Sequence, residues 1–148
     1  LRRTGFKPKA TWKGLKKTAR RNGVKIDLAD KWFSLFVRYR ANWKCERCGT
    51  QYDVGSQGLH ASHFWGRARE SVRFDPINVC AHCHGCHSFL TANPELHREW
   101  KLKQIGQKQY DLLMVRAQLT QKKDRKLMAL VWKQEYEKEK LRYEQITA

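Results

Sequence analysis

Acidic residues are scarce in this chain. Its 148 residues hold 14 Asp and Glu against 31 Lys and Arg, a formal net charge of +17. Residues 1–25 contain no acid at all. They carry ten basic side chains: Arg2, Arg3, Lys7, Lys9, Lys13, Lys16, Lys17, Arg20, Arg21 and Lys25. So one-sided a charge points to a polyanion partner such as nucleic acid. Long apolar runs are missing too. No stretch approaches the roughly 18 residues of a membrane span, and nothing at the start resembles a signal peptide. A membrane partner is therefore not expected, and no internal repeat suggests a solenoid. The cysteine count, five, is odd. With no secretion signal, that argues against a disulfide framework and for metal in a reducing compartment.

What the chain does have is concentrated. Apolar residues make up 41%, with six Trp, six Phe and five Tyr, enough for one folded domain. All five cysteines (Cys45, Cys48, Cys80, Cys83, Cys86) and five of the six histidines (His60, His63, His82, His84, His87) fall between Cys45 and His87. Two C-x-x-C pairs in one chain are a zinc signal. Thiolates suit zinc, and four in a tetrahedron close a structural site. The second pair is either Cys80 with Cys83 or Cys83 with Cys86. The preferred set is Cys45, Cys48, Cys83 and Cys86, which leaves Cys80 as a small buried residue and His87 free for another site. His82 and His84 then read as exposed groups or neighbours of the ligands, and His97 as structural.

Read in order, residues 1–10 form an extended arm, and residues 11–22 a short helix closed by Gly23. Asp27 caps a helix over 28–42, with Leu28, Trp32, Leu35, Phe36 and Tyr39 on its apolar stripe and Phe33 and Val37 widening it. Leu59–Trp65 reads as a strand, 66–71 as an arginine-rich linker, and Val72–Asp75 as the return strand, ended by Pro76. A helix begins near Cys83 and runs through His87. Asn93-Pro94-Glu95 starts another, with Leu96, Trp100 and Lys103 inward. Gly106 breaks it, and 107–118 follow as a separate helix. The last helix covers 121–145 with Leu127, Leu130, Val131, Tyr136 and Tyr143 as its apolar set. It packs on the core or pairs with a second copy.

Three residues have the right types for phosphodiester hydrolysis. His63 can serve as a base near neutral pH. Asn78 can hold a neighbouring loop by hydrogen bonds to backbone. His87 can ligate a divalent cation that offsets charge on phosphate. Arg67, Arg69 and Arg73, on the linker and return strand, are candidate phosphate contacts. Arg20, Arg21, Lys16 and Lys17 of the arm are candidates as well.

The segment carrying C-x-x-C-G, LHASH, RFDPIN and C-x-x-C-H resembles the HNH, or ββα-metal, endonuclease motif. In that motif a base His on the first strand, an Asn after the second and a His on the helix occur in the order His63, Asn78, His87. The N-x4-C-x2-C-H spacing matches as well. More narrowly, the chain is similar to the phage lambda NinG (Rap) recombination nucleases over roughly residues 28–118. Many HNH enzymes place a metal ligand just before the base, where this chain has Ser62. His60 lies on the same strand face as residue 62 and is the candidate replacement ligand.

The resemblance implies a mostly helical α+β fold, a zinc-stapled ββα-metal core with flanking N- and C-terminal helices. Charge and helical spacing add the ends, so the chain divides into a basic DNA-binding arm (1–25), a nuclease domain with its zinc site (26–118) and a long C-terminal helix (119–148). The implied cofactors are a structural Zn²⁺ and a catalytic Mg²⁺ or Mn²⁺, with Ni²⁺ as a further candidate. The implied partner is DNA, branched recombination intermediates included, met in the cytoplasm of the host cell. A homodimer would suit symmetric cutting. Two other functions fit the same residues: a zinc-knuckle nucleic-acid-binding module without catalysis, and a sequence-specific homing or packaging nuclease.

Overall fold

The computed structural model describes the backbone of Arg20–Arg21 and residues 23–148. The chain runs β1 (Arg20–Arg21), β2 (Val24–Lys25), α1 (Leu28–Arg40), β3 (Leu59–His63), a 3₁₀ turn (Glu70–Val72), β4 (Val79–Cys83), α2 (His84–Ala92), α3 (Pro94–Gln118) and α4 (Arg125–Thr147). The mostly helical α+β expectation is met. The helix expected over 11–22 is corrected at its end: β1 and β2 pair antiparallel, Arg21 with Val24. Asn22-Gly23 is a hairpin signal in sequence, and Gly23 takes φ +76°. The expected arm 1–10, the rest of that helix, Lys16 and Lys17 lie outside the described residues. Among the described residues, no helix is long and apolar enough to cross a membrane.

Asp27 starts α1 with a capping box. Its carboxylate accepts from Ala29 N (3.0 Å) and Asp30 N (3.3 Å), and Asp30 accepts from Asp27 N (3.0 Å), which satisfies amides the helix leaves open. The helix buries Ala29, Phe33, Phe36, Val37 and Tyr39. Leu28, placed on the stripe by periodicity, is exposed, so the true inner face is centred on Phe33 and Val37. α4 packs along α1. Trp132 meets Phe33 and Phe36 at ring separations of 4.6 and 4.9 Å, and Tyr136 and Tyr143 lie against Tyr39. Arg142 donates to Tyr39 O (3.0 Å) and Asn42 Oδ1 (2.8 Å), closing the carbonyl end of α1. Next, Asn42 and Trp43 adopt φ +53° and +57°. That turn buries the Trp43 indole and leads the chain into Cys45.

The return strand was misplaced by sequence. Residues 72–75 are not extended; Val72 ends the 3₁₀ turn, and Asp75–Asn78 is a tight turn. There Asn78 N donates to Asp75 O (2.9 Å) and Ile77 N to Asp75 Oδ1 (2.9 Å). Pro76 sits where a turn favours it. β4 begins only after Asn78 and pairs with β3 as Leu59↔Cys83, His60↔His82, Ala61↔Ala81, Ser62↔Cys80 and His63↔Val79. Alternation then sorts side chains onto two faces. Leu59, Ala61, Val79 and Ala81 join the α1 core. His60, Ser62, Cys80 and His82 face α2 and α3.

Candidate functional site

The four cysteines converge because both ends of the hairpin do. Gly49 at φ +77° lets Gly49 N donate to Cys45 O (2.9 Å), and Glu46 N donates to Ala81 O (2.8 Å), which clips the knuckle to β4. Cys83 is the N-cap of α2, its sulfur accepting from Cys86 N at 3.3 Å. The Sγ atoms of Cys45, Cys48, Cys83 and Cys86 all lie within 4.8 Å of one another. A tetrahedron with Zn–S bonds of about 2.3 Å has sulfur–sulfur edges of about 3.8 Å. Cys48 and Cys83 stand 3.8 Å apart, so the donor set fits zinc in both chemistry and size. The cluster can hold a structural zinc, and the Cys83–Cys86 pairing is the one the fold makes. Hydrogen bonds from Thr50 lower the Cys48 thiol to about 6. Burial pushes Cys86 up to about 12, although Arg47 donates to its sulfur at 3.4 Å.

Beside this cluster His60 of β3 and His87 of α2 meet. Their Nδ1 atoms are 3.1 Å apart, with rings nearly perpendicular at 82°. His84, on the same helix, sits 5.6 Å from the His60 ring. Two imidazole nitrogens held about 2.1 Å from one ion, at roughly 90–109°, stand about 3.0–3.4 Å apart. The pair therefore has a spacing that one cation can bridge. Among the described residues, the four cysteines are the one group of three or more such ligands.

His63 is not brought to that pair by its strand. It belongs to the opposite pleat, where its ring packs 6.3 Å from Phe33 and its Nε2 lies 3.1 Å from Arg73 O. Burial, then the charge of Arg67, lower its pKa to about 3. Asn78 is fully buried. Its Oδ1 accepts from Trp65 N (2.8 Å), and its Nδ2 donates to Trp65 O (2.9 Å) and Val72 O (3.0 Å). One side chain thus closes the loop between β3 and β4 and fixes where His63 ends its strand.

The arginines do not form one phosphate-binding row. Arg73 is corrected outright. It is 2% exposed, and it grips Asp30 through Nε at 2.9 Å and donates to Glu70 and Lys25 O. Burial works to raise the Asp30 carboxyl, but the Arg73 hydrogen bond and charge outweigh it and hold it below its ordinary value. Arg125 joins the network through Glu70. Arg69 stacks on Trp65 at 4.8 Å and donates to Ala117 O. Arg67 lies 3.7 Å from Asp30.

Two residues of the histidine-bearing face stand apart from the sequence reading: His82, for which exposure is one of two readings, and Lys101, which is not singled out. His82 is wholly buried against Trp100, not exposed, and Lys101 is buried against Cys80. Strand alternation through 79–83 would have found the first, had the cysteine spacing not suggested a knuckle. Nothing in the local sequence marks Lys101.

A family model described as the bacteriophage lambda NinG protein matches residues 2–145. No curated protein and no solved structure matches the chain. Since the match spans almost every residue, from the basic start through the cysteine cluster to the last helix, this protein belongs to the phage lambda NinG family.

Proposed function

We propose that the protein is a metal-dependent HNH endonuclease that hydrolyses DNA phosphodiester bonds, with branched recombination intermediates as its substrate. The observation that carries this reading is the His60–His87 pair, two imidazole nitrogens 3.1 Å apart beside a four-thiol cluster. A divalent cation held there would offset negative charge on the scissile phosphate. Imidazole donors suit Mn²⁺ or Ni²⁺ at least as well as Mg²⁺.

His63 is the general base. A carbonyl only accepts, so the nitrogen facing Arg73 O carries the proton and Nδ1 keeps its lone pair. Burial holds the ring neutral at working pH. The approach of a phosphate would raise its basicity, because a negative neighbour favours the protonated form. Asn78 is a positioning residue that acts through the loop it closes. Arg67, whose charge is felt at His63, is the candidate phosphate contact. The net charge of +17 supports a nucleic-acid partner.

A zinc-knuckle binding module without chemistry is the second reading. It is favoured by the separation of His63 and the His60–His87 pair onto opposite pleats. A cleavage assay decides between them, using duplex, nicked, flap and four-way-junction DNA with Mg²⁺, Mn²⁺ or chelator. Cutting that needs metal, prefers the junction and falls about 10²–10⁴-fold in His63→Ala establishes the nuclease. Equal binding by both proteins with no cutting in any metal establishes the module.

A further inference from the structure

Behind the histidine pair, on the same hairpin face, Cys80 is 3% exposed and Lys101 of α3 is 1% exposed. Lys101 Nζ is 3.2 Å from Cys80 Sγ and 3.2 Å from Gln104 Oε1, and Cys80 donates to the same Gln104 oxygen at 3.1 Å. Among the described residues no carboxylate comes within ion-pair range of Nζ. An amine buried without a counter-charge is costly, and here its two partners, at equal distance, are a thiol sulfur and an amide oxygen. Gln104 Nε2 in turn donates to Glu46 (3.2 Å), whose other oxygen accepts from Ala81 N. The cluster therefore ties α3 to β4 and to the knuckle between Cys45 and Cys48. Cys80 lies outside the four-thiol group, so its sulfur is free for other chemistry.

We propose that Cys80 and Lys101 form an oxidative modification site, at which a peroxide joins Sγ to Nζ through one oxygen atom. The steps balance. One peroxide converts the thiol to a sulfenic acid and releases one water. The Lys101 ammonium, the sulfenic acid and a second peroxide then give S–O–NH, two waters and one proton released to solvent. Nitrogen and sulfur together lose four electrons, and each peroxide takes two. Two equivalents of a dithiol reductant supply the four electrons that reverse the reaction, returning thiol, amine and water. The geometry favours this pair because both atoms are already in contact and Gln104 holds each in place. A bridge would close the 21-residue separation between them and lock α3 onto the strand that leads to Cys83 and His87.

The test is peptide mapping of the full chain, loaded with Zn²⁺ and treated with isotopically labelled hydrogen peroxide. The expected product is one cross-linked peptide pair joining β4 to α3. It has gained a single labelled oxygen, has lost two hydrogens, and is released by dithiothreitol. Its formation should raise Tm by roughly 5–10 °C. Cys80→Ser and Lys101→Gln should each abolish the cross-link while the wild-type protein under the same treatment forms it. A Cys80 found only as sulfinic acid, or a product with no labelled oxygen, overturns the proposal. So does unmodified Cys80 after peroxide has oxidised the exposed Cys48.

Discussion

His82 is a histidine with no hydrogen-bond partner for either ring nitrogen among the described residues. Burial first, then the charges of His97, His87, Lys101 and Arg47, lower its pKa to about 3. The unfolded chain would titrate near 6.5. Below that pH the unfolded state binds a proton that the folded state refuses, so stability is whole above 6.5 and is lost as pH falls toward 3. Each pH unit below 6.5 costs up to about 1.4 kcal/mol for this one residue. His82→Leu replaces the ring with an apolar group of similar size. The variant should match the wild type in urea at pH 7 and exceed it by about 1–2 kcal/mol at pH 5. Equal acid sensitivity in the two would show that His82 does not carry the loss. A zinc held by the cysteine cluster would be lost in acid from both proteins alike, so the difference between them isolates the imidazole.

Helix α3 shows how an element can be read correctly in kind and wrongly in phase. Gly106 was expected to break it, and the backbone there takes φ +77°, ψ 162° between two helical stretches. Nothing lies within 4 Å of where a Cβ would stand. The cost of Gly106→Ala is therefore backbone strain alone, about 1–2 kcal/mol, measurable as a lower urea midpoint with an unchanged slope. A stabilised variant would mean the kink can straighten. Upstream, Leu96, Trp100 and Lys103 are expected inward. The structure keeps Trp100 there, packed on His82, but leaves Leu96 and Lys103 exposed and turns His97 and Lys101 toward the hairpin in their place, because His82 and Cys80 stand there to be covered. α4 repeats the lesson. Leu127, Leu130 and Val131 are exposed, since the aromatic shelf of Phe33 and Phe36 selects Trp132, which buries more area.

At the scale of the molecule, the cysteine cluster is not an appendage. Cys45 and Cys86 belong to the same buried cluster as Phe33, Trp43, Leu59 and Phe74, with Trp132 and Tyr136 of α4 packed against it. Four thiols brought this close repel as thiolates unless a cation lies among them. Removing zinc from the zinc-loaded chain with a chelator should therefore lower stability by on the order of 5 kcal/mol or more. The loss should appear in the α1–α4 packing as well as in the knuckle, and it should return when zinc is restored. The readouts are urea unfolding followed by tryptophan fluorescence, and zinc content. Unfolding that is identical with and without the metal would make the cluster dispensable.

The sequence by itself determined the local chemistry of this protein. The two C-x-x-C pairs, the Asp27 capping box, the Pro94 helix start and the Gly106 break each depend on residues a few positions apart. Periodicity and spacing report such features directly. The order His63, Asn78, His87 was legible in the same way. Tertiary structure alone decided which groups meet. Arg73 turns inward because Asp30, 43 residues earlier, waits for it in the core. Cys80 finds Lys101 because α3 folds back over one pleat of the hairpin. His60 meets His87 while His63 lies on the other face, since strand register, once set by pairing, sends alternate side chains to opposite sides.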